Sequence, residues 1–175
     1  MRRLILLRHA KSDWASPGAP DYARALSARG REAARRIGAY MAHHGLVPDQ
    51  VVCSTAARTR QTWDVVAAEL SAGIPVAFDQ RIYESGAHDI LGTIEQTRSE
   101  VLVLLLVGHN PGLRDLAELL IASGDVEARQ RLLEKLPTAG LVVIDFPLDD
   151  WHKLHPKAGR LDRFVAPHML ETTTD

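Results

Sequence analysis

Apolar positions along the chain follow two rhythms. Short continuous apolar or β-branched runs occur at Arg3–Leu7, Gln50–Cys53, Val76–Phe78, Val101–Val107 and Leu141–Phe146, with a weaker one at Leu161–Val165. Runs of this length suit strands buried on both faces. Between them, apolar residues recur at spacings of three and four. Ala33, Ile37, Tyr40 and Met41 form one such face, with Ser27 placed as its N-cap and Gly45 just past its end. Thr62, Val65, Val66 and Leu70 repeat the pattern within Arg58–Leu70. Further helices are expected at Asp89–Gln96, at Leu113–Ala122 with Leu116, Leu119 and Leu120 inward and Gly124 as a stop, and at Val126–Leu136. Strands alternating with helices predict an α/β fold: a single three-layer αβα domain with a mostly parallel central sheet and right-handed crossovers. That domain is expected over residues 1–170, with 171–175 as a frayed tail.

Composition narrows the class. The chain has 175 residues, enough for one domain with a substantial core, and its 46% hydrophobic and 25% charged content is that of an ordinary soluble protein. A net charge of −1 provides no field that would draw it to nucleic acid or anionic membrane, so neither partner is expected. The longest apolar run, Val101–Val107, cannot span a bilayer. Arg2-Arg3 before an apolar run is faintly leader-like, but Arg8 and His9 interrupt the run and no small-residue cleavage site follows. Cys53 has no cysteine to pair with, which fits a reducing cytoplasm, the expected location.

The candidate chemistry lies where strands end. Leu4-Ile5-Leu6-Leu7 stops abruptly at Arg8-His9, followed by Ala10-Lys11-Ser12. Arg58 follows the second strand, Glu84 the third, and His109 comes after Val107-Gly108. Parallel strands would bring all four positions to one carboxyl edge, where open α/β sheets bind ligands. Each has a bland alternative: a solvated arginine, a structural histidine, a loop carboxylate. Together they meet the needs of phosphoryl transfer. Two arginines can stabilise phosphoryl oxygens without a metal, and a neutral His9 can attack phosphorus. A protonated His109 could hydrogen-bond a non-bridging oxygen, and Glu84 could protonate a leaving oxygen and then activate water. Lys11 either adds charge beside the phosphate or faces solvent. The loop Ala10–Leu26, with Pro17, Gly18 and Pro20, is long enough to be either functional or disordered. Trp14 could line the site mouth, whereas Trp63 reads as core or interface. Cys53 precedes Arg58 with four residues between, one short of a cysteine-phosphatase cradle, so it reads as a buried strand-end residue.

The ordered motifs Arg8-His9, Ser54-x-x-x-Arg58-Thr59-x-x-Thr62, Arg81-Ile82-Tyr83-Glu84 and Gly108-His109 resemble the histidine phosphatase superfamily. The runs Arg8-His9-Ala10-Lys11-Ser12-Asp13-Trp14, Gly108-His109-Asn110-Pro111-Gly112 and Pro137-Thr138-Ala139 are similar to its SixA-type phosphohistidine phosphatases. The resemblance extends from about Leu4 to Val165. It implies that His9 is the phosphorylated nucleophile, that Arg8, Arg58 and His109 form the phosphate pocket, and that no metal or other cofactor takes part. Ala10, where the broader superfamily has glycine, fits the SixA branch. Ala15, where mutase-like members carry a phosphate-binding asparagine, argues against mutase activity. Glu84 aligns with the superfamily's general acid, which SixA-type members need not use. Only the sixteen residues Ser85–Glu100 separate Glu84 from the next strand, so no cap domain is expected over the site. An uncapped site can admit phosphate carried on a protein. The expected substrate is therefore a phosphohistidine-bearing protein, with a small-molecule phosphomonoester as the alternative and a non-catalytic phosphate-binding module as a third reading.

Overall fold

A computed structural model describes residues 1–14 and 18–170. The Ala15 comparison and the 171–175 tail fall outside these residues. One seven-stranded sheet forms the middle layer, built from β1 (Arg2–Arg8), β2 (Gln50–Cys53), β3 (Val76–Phe78), β4 (Val103–Gly108), β5 (Ile121–Gly124), β6 (Leu141–Phe146) and β7 (Gly159–Val165). Their spatial order is β3-β2-β4-β1-β6-β7-β5. Pairing is parallel from β3 across to β1, antiparallel on both sides of β6, and parallel again between β7 and β5. Reversal of the single strand β6 leaves the sheet mostly parallel, as expected.

The helices α1 (Ala28–His43), α2 (Ala57–Ala67), α3 (Ala87–Glu95), α4 (Gly112–Leu120) and α5 (Val126–Glu134) cover the two faces. Alternation along the strands divides the core accordingly. Leu4 and Leu6 of β1, with Leu104 and Leu106 of β4, pack with Ile90, Leu116 and Leu132 of α3, α4 and α5. Ile5, Leu7, Leu105 and Val107 face the other way, onto Ile37 and Met41 of α1 and Trp63 and Val66 of α2. This is the three-layer αβα arrangement, and Trp63 is core. Between β3 and β4 lie only a 3-10 turn at Gln80–Ile82 and α3, which packs against α4. No cap domain is built there. None of the described helices is long and apolar enough to cross a membrane.

The expected elements are present with shifted ends, and one strand was not expected. Ile121-Ala122-Ser123-Gly124 continues the helical apolar rhythm, yet the helix stops at Leu120 and these residues pair with β7 as β5. A four-residue edge strand has too little period of its own to read. Its existence depends on β7, which begins at Gly159, two residues before the expected start. Gly124 has φ +122°, and a Cβ there would strike the Leu161 backbone, so glycine serves the pairing rather than ending a helix.

The start of α1 bears on the site. Ser27 caps it by accepting the Gly30 N–H at 3.0 Å and donates its own hydroxyl to the Lys11 carbonyl at 3.1 Å. The same carbonyl accepts the Ser27 N–H at 2.9 Å. This seats the helix on the segment just after His9, and Gly30 is required for the approach because a Cβ would collide with the Lys11 carbonyl oxygen. Gly30→Ala is therefore expected to destabilise the fold by about 1–3 kcal/mol, read as a drop of several degrees in Tm. An unchanged Tm would show that the loop yields freely.

Candidate active site

The parallel ladder sets Arg8 opposite Gly108 and Cys53 opposite Val107, so β1, β4 and β2 end level with one another. The residues just beyond these ends, His9, His109 and Ser54, consequently share one edge. The end of β1 is pinned from both sides. His9 N–H donates to Gly108 at 3.0 Å, Arg8 N–H to Gly140 at 3.1 Å, and the Ala139 N–H is shared between the Arg8 and His9 carbonyls at 3.1 and 3.0 Å. Ala139 adopts φ +58° to make this turn. On the opposite side the Ala10 N–H donates to Thr62 Oγ1 at 2.9 Å, and the Thr62 hydroxyl donates to the Arg58 carbonyl at 2.7 Å. Thr62 thus ties the strand end to the first turn of α2, which carries Arg58.

Hydrogen-bond partners fix the proton of one imidazole. His9 Nδ1 lies 2.8 Å from the Ala10 carbonyl, which can only accept, so the proton is on Nδ1 and the lone pair of a neutral ring is on Nε2. His109 Nε2 lies 2.7 Å from Ser54 Oγ. That oxygen also accepts the Ala56 N–H at 3.4 Å and can either donate to Nε2 or accept from it, so both ring tautomers satisfy the contact. The two rings are 5.3 Å apart. Buried polar atoms without a partner among the described residues include Arg8 Nε, Arg58 Nε, His109 Nδ1 and Asn110 Oδ1. An unmade buried hydrogen bond costs about 1–3 kcal/mol. Two arginines with unpartnered buried Nε donors, their charges felt at His9, make a site suited to an oxyanion.

Both rings are neutral. Burial pushes His9 down to about 4, helped by the charges of Arg8, Arg58 and Arg24 and opposed by the Ala10 carbonyl. Burial, the neighbouring His9 and the Arg58 and Arg8 charges push His109 down to about 3, against a weaker opposite pull from Asp21. The conditional role of a protonated His109 meets opposition here, because a second cation beside two guanidiniums in a desolvated cleft is unfavourable. Arg8 is itself lowered by burial and by Arg58, and it is held by the Leu136 carbonyl at 3.1 Å, which also accepts from Asn110 Nδ2 at 2.8 Å.

Arg8, His9, Arg58 and His109 are thus brought together. Glu84 is not. Its side chain is exposed on a residue with φ +54°, and it makes no hydrogen bond or ion pair among the described residues. The preceding residue turns inward instead: the Tyr83 ring packs edge-on against His109 at 5.4 Å. Buried Ile82, at the end of the 3-10 turn Gln80–Ile82, anchors the segment, and the left-handed backbone at Glu84 turns the chain just after Tyr83. The Lys11 side chain is exposed, and its backbone carbonyl receives α1. Cys53 is buried, its thiol pushed up to about 12 by burial, as a strand-end residue rather than a nucleophile. Two further residues join the site that the motifs had not singled out. Asp21, on a 3-10 turn at Asp21–Ala23, accepts from Arg58 and Tyr83, and Arg24 pairs with Asp21. Trp14 is exposed beneath the Arg24 guanidinium. Asp21 and Arg24 lie in a loop without periodicity, so only their Asp-x-x-Arg spacing hinted at a pair.

The family model of the histidine phosphatase superfamily (branch 1) matches residues 4–104, more than half of the chain. The chain belongs to the histidine phosphatase superfamily. An uncharacterised protein of Mycobacterium tuberculosis is 32% identical over 163 residues, covering 92% of this chain and 99% of the relative. Among solved structures, one from Agrobacterium tumefaciens, provisionally named phosphohistidine phosphatase SixA, is 32% identical with a TM-score of 0.79, covering 95% of this chain and 99% of the other. A SixA structure with tungstate bound shares the fold, with a TM-score of 0.76 at 18% identity. This histidine phosphatase is of the SixA type, and it is a phosphohydrolase.

A lowered pKa keeps the His9 ring in its free-base form until the pH falls through the folded value. A reaction that uses that form is therefore expected to show kcat/KM level through neutrality, with an acid limb near pH 4 rather than at the ordinary histidine value of about 6.5. The measurement is a pH–rate profile corrected for the substrate's own ionisation; a limb near the ordinary value would contradict the burial of this ring.

Proposed function

We propose that this phosphatase hydrolyses phosphohistidine on proteins through a phosphorylated His9. The observation that carries the reading is the His9 imidazole, its Nδ1 on the Ala10 carbonyl, set beside two arginines with partnerless buried Nε donors and a second imidazole 5.3 Å away. In the first half-reaction the Nε2 lone pair forms a bond to phosphorus as the P–N bond to the substrate imidazole breaks, and the imidazole, already protonated on its other ring nitrogen, leaves as the neutral base with the electron pair of that bond. In the second, water attacks phosphorus, the P–Nε2 bond breaks with its electron pair returning to Nε2, and phosphate departs as the dihydrogen anion carrying both water protons. Charge spreads over the non-bridging oxygens in both steps, where the arginines stand ready without reorganising. Arriving dianion also reverses the local field, so His109 can take up a proton once substrate is bound.

The substrate class rests on what the leaving group requires. An alkyl phosphate leaves as a basic alkoxide and needs a proton donor, whereas a protonated imidazole needs little help. With Glu84 exposed and hydrogen-bonded to no described residue of the pocket, the site favours the second kind. The provisional naming of the Agrobacterium tumefaciens structure, 32% identical, agrees with this. The lone Cys53, buried and unreactive, suits the reducing cytoplasm we assign to the enzyme. The deciding experiment compares kcat/KM for a phosphohistidine protein with a panel of phosphorylated metabolites. Preference for a metabolite would replace this substrate class with a phosphomonoester.

His9→Ala is expected to lose at least about a thousandfold in kcat with the fold retained. An acid-free quench of the wild type should show a phosphoryl adduct on His9 by mass spectrometry, and near-normal turnover by the alanine variant would exclude the covalent route. Glu84→Gln is expected to leave phosphohistidine and p-nitrophenyl phosphate hydrolysis within about twofold of wild type. A large loss confined to alkyl phosphates would identify Glu84 as the general acid after all.

A further inference from the structure

Arg58 has an orphaned Nε and a fully engaged outer edge. Its Nη1 donates to the Asp21 main-chain carbonyl at 3.0 Å and its Nη2 to Asp21 Oδ2 at 3.1 Å. The same Oδ2 accepts the Tyr83 hydroxyl at 2.7 Å, and Oδ1 pairs with Arg24 Nη2 at 3.0 Å. The main-chain carbonyl by itself anchors Arg58 and survives any change of side chain, so what the carboxylate adds is mainly charge. We propose that Asp21 is the built-in counter-anion of the phosphate pocket, lowering its affinity for the phosphate dianion so that product leaves. This rests on the reading of the pocket as a phosphoryl site.

The balance of charge supports it. Arg8, Arg58 and Arg24 bring three positive charges, and Asp21 removes one. Before an anion arrives the imidazoles add none at neutral pH. Two net positive charges then match an incoming dianion, and without Asp21 there would be three. Arg24 belongs in this count because its charge is felt at His9, and its guanidinium is fixed by Asp21 and by the Trp14 ring 4.6 Å away. Asp21 is 46% exposed, whereas the Arg58 side chain is only 6% exposed. The carboxylate therefore sits at the rim behind the guanidinium, near enough to repel an anion without filling its place. At the effective dielectric of a protein surface, such a charge should weaken binding of a dianion on the order of tenfold.

The test measures competitive Ki values for inorganic phosphate and tungstate, with p-nitrophenyl phosphate as reporter substrate. Asp21→Asn is expected to bind both oxyanions on the order of tenfold more tightly, with a steeper dependence on salt. Damage to the pocket would weaken binding instead, so the gain is specific to charge. Arg24→Gln should weaken both oxyanions, and the double variant with Asp21→Asn should return towards the wild-type value. Unchanged or weaker binding by Asp21→Asn, or additive losses in the double variant, would overturn the proposal and leave Asp21 as a brace for Arg58. Failure of either oxyanion to inhibit the wild type would instead count against the phosphoryl site itself.

Discussion

The parallel ladder between β1 and β4 sets Arg8 opposite Gly108, and the distance between the two site histidines depends on that register. Each residue of β1 from Leu4 to Leu7 is fully buried, alternating between the two helical layers. Slipping the strand by one position would exchange these side chains between two differently shaped cores, so the register is strongly held. His9 and His109 then follow their strands out of the sheet at the same level. Ser54 does the same from β2, which neighbours β4 on the other side. The Ala139 N–H, shared between the Arg8 and His9 carbonyls, closes the end of the ladder and prevents β1 from fraying where its position matters.

A second constraint comes from desolvation. The edge of the sheet is sunk between helices, so the imidazoles are kept neutral and the guanidiniums of Arg8 and Arg58 remain the fixed charges. This division suits the nucleophilic role proposed for His9: an imidazole in its free-base form beside permanent cations needs no deprotonation before it reacts. It also leaves several donors without partners, a local cost that a well-packed core can carry and that an oxyanion would offset. Such a site is prepared for charge that develops during reaction rather than for its own stability.

The long loop after His9 links these features to the outside. Its inner portion receives α1 through the Lys11 carbonyl, and its Asp21–Ala23 turn reaches Arg58 and Tyr83. Asp21 thus joins three separate chain segments at the rim, while Trp14 and Arg24 form an exposed aromatic–cationic pair beside it. With no cap built between β3 and β4, this loop and the Tyr83 segment are what a phosphorylated partner would meet first.

Much of this was legible beforehand because it depends on local period and on strand ends. The continuous apolar runs of β1 and β4 read as strands covered on both faces, whereas β3 is an exposed edge, and the polar residues that end the buried runs emerge at the sheet edge. Arg8, His9, Arg58 and His109 were identifiable on that ground, together with the Ser27 cap and the inert Cys53. What long-range pairing decides was not. The four residues of β5 have no period separable from the helix before them and become a strand only because β7 offers a free edge. Glu84 follows its strand as the other site residues do, yet the turn around buried Ile82 faces Tyr83 inward and leaves Glu84 in solvent. Asp21 and Arg24 come from a loop with no rhythm, and only the packing of that loop against α2 reveals an ion pair at the pocket. Sequence by itself determined the elements and the chemically able residues, since both follow from side chains acting on their immediate neighbours. The tertiary structure alone decided which of those residues share a desolvated site, because burial and opposing charge are properties of what the fold brings together.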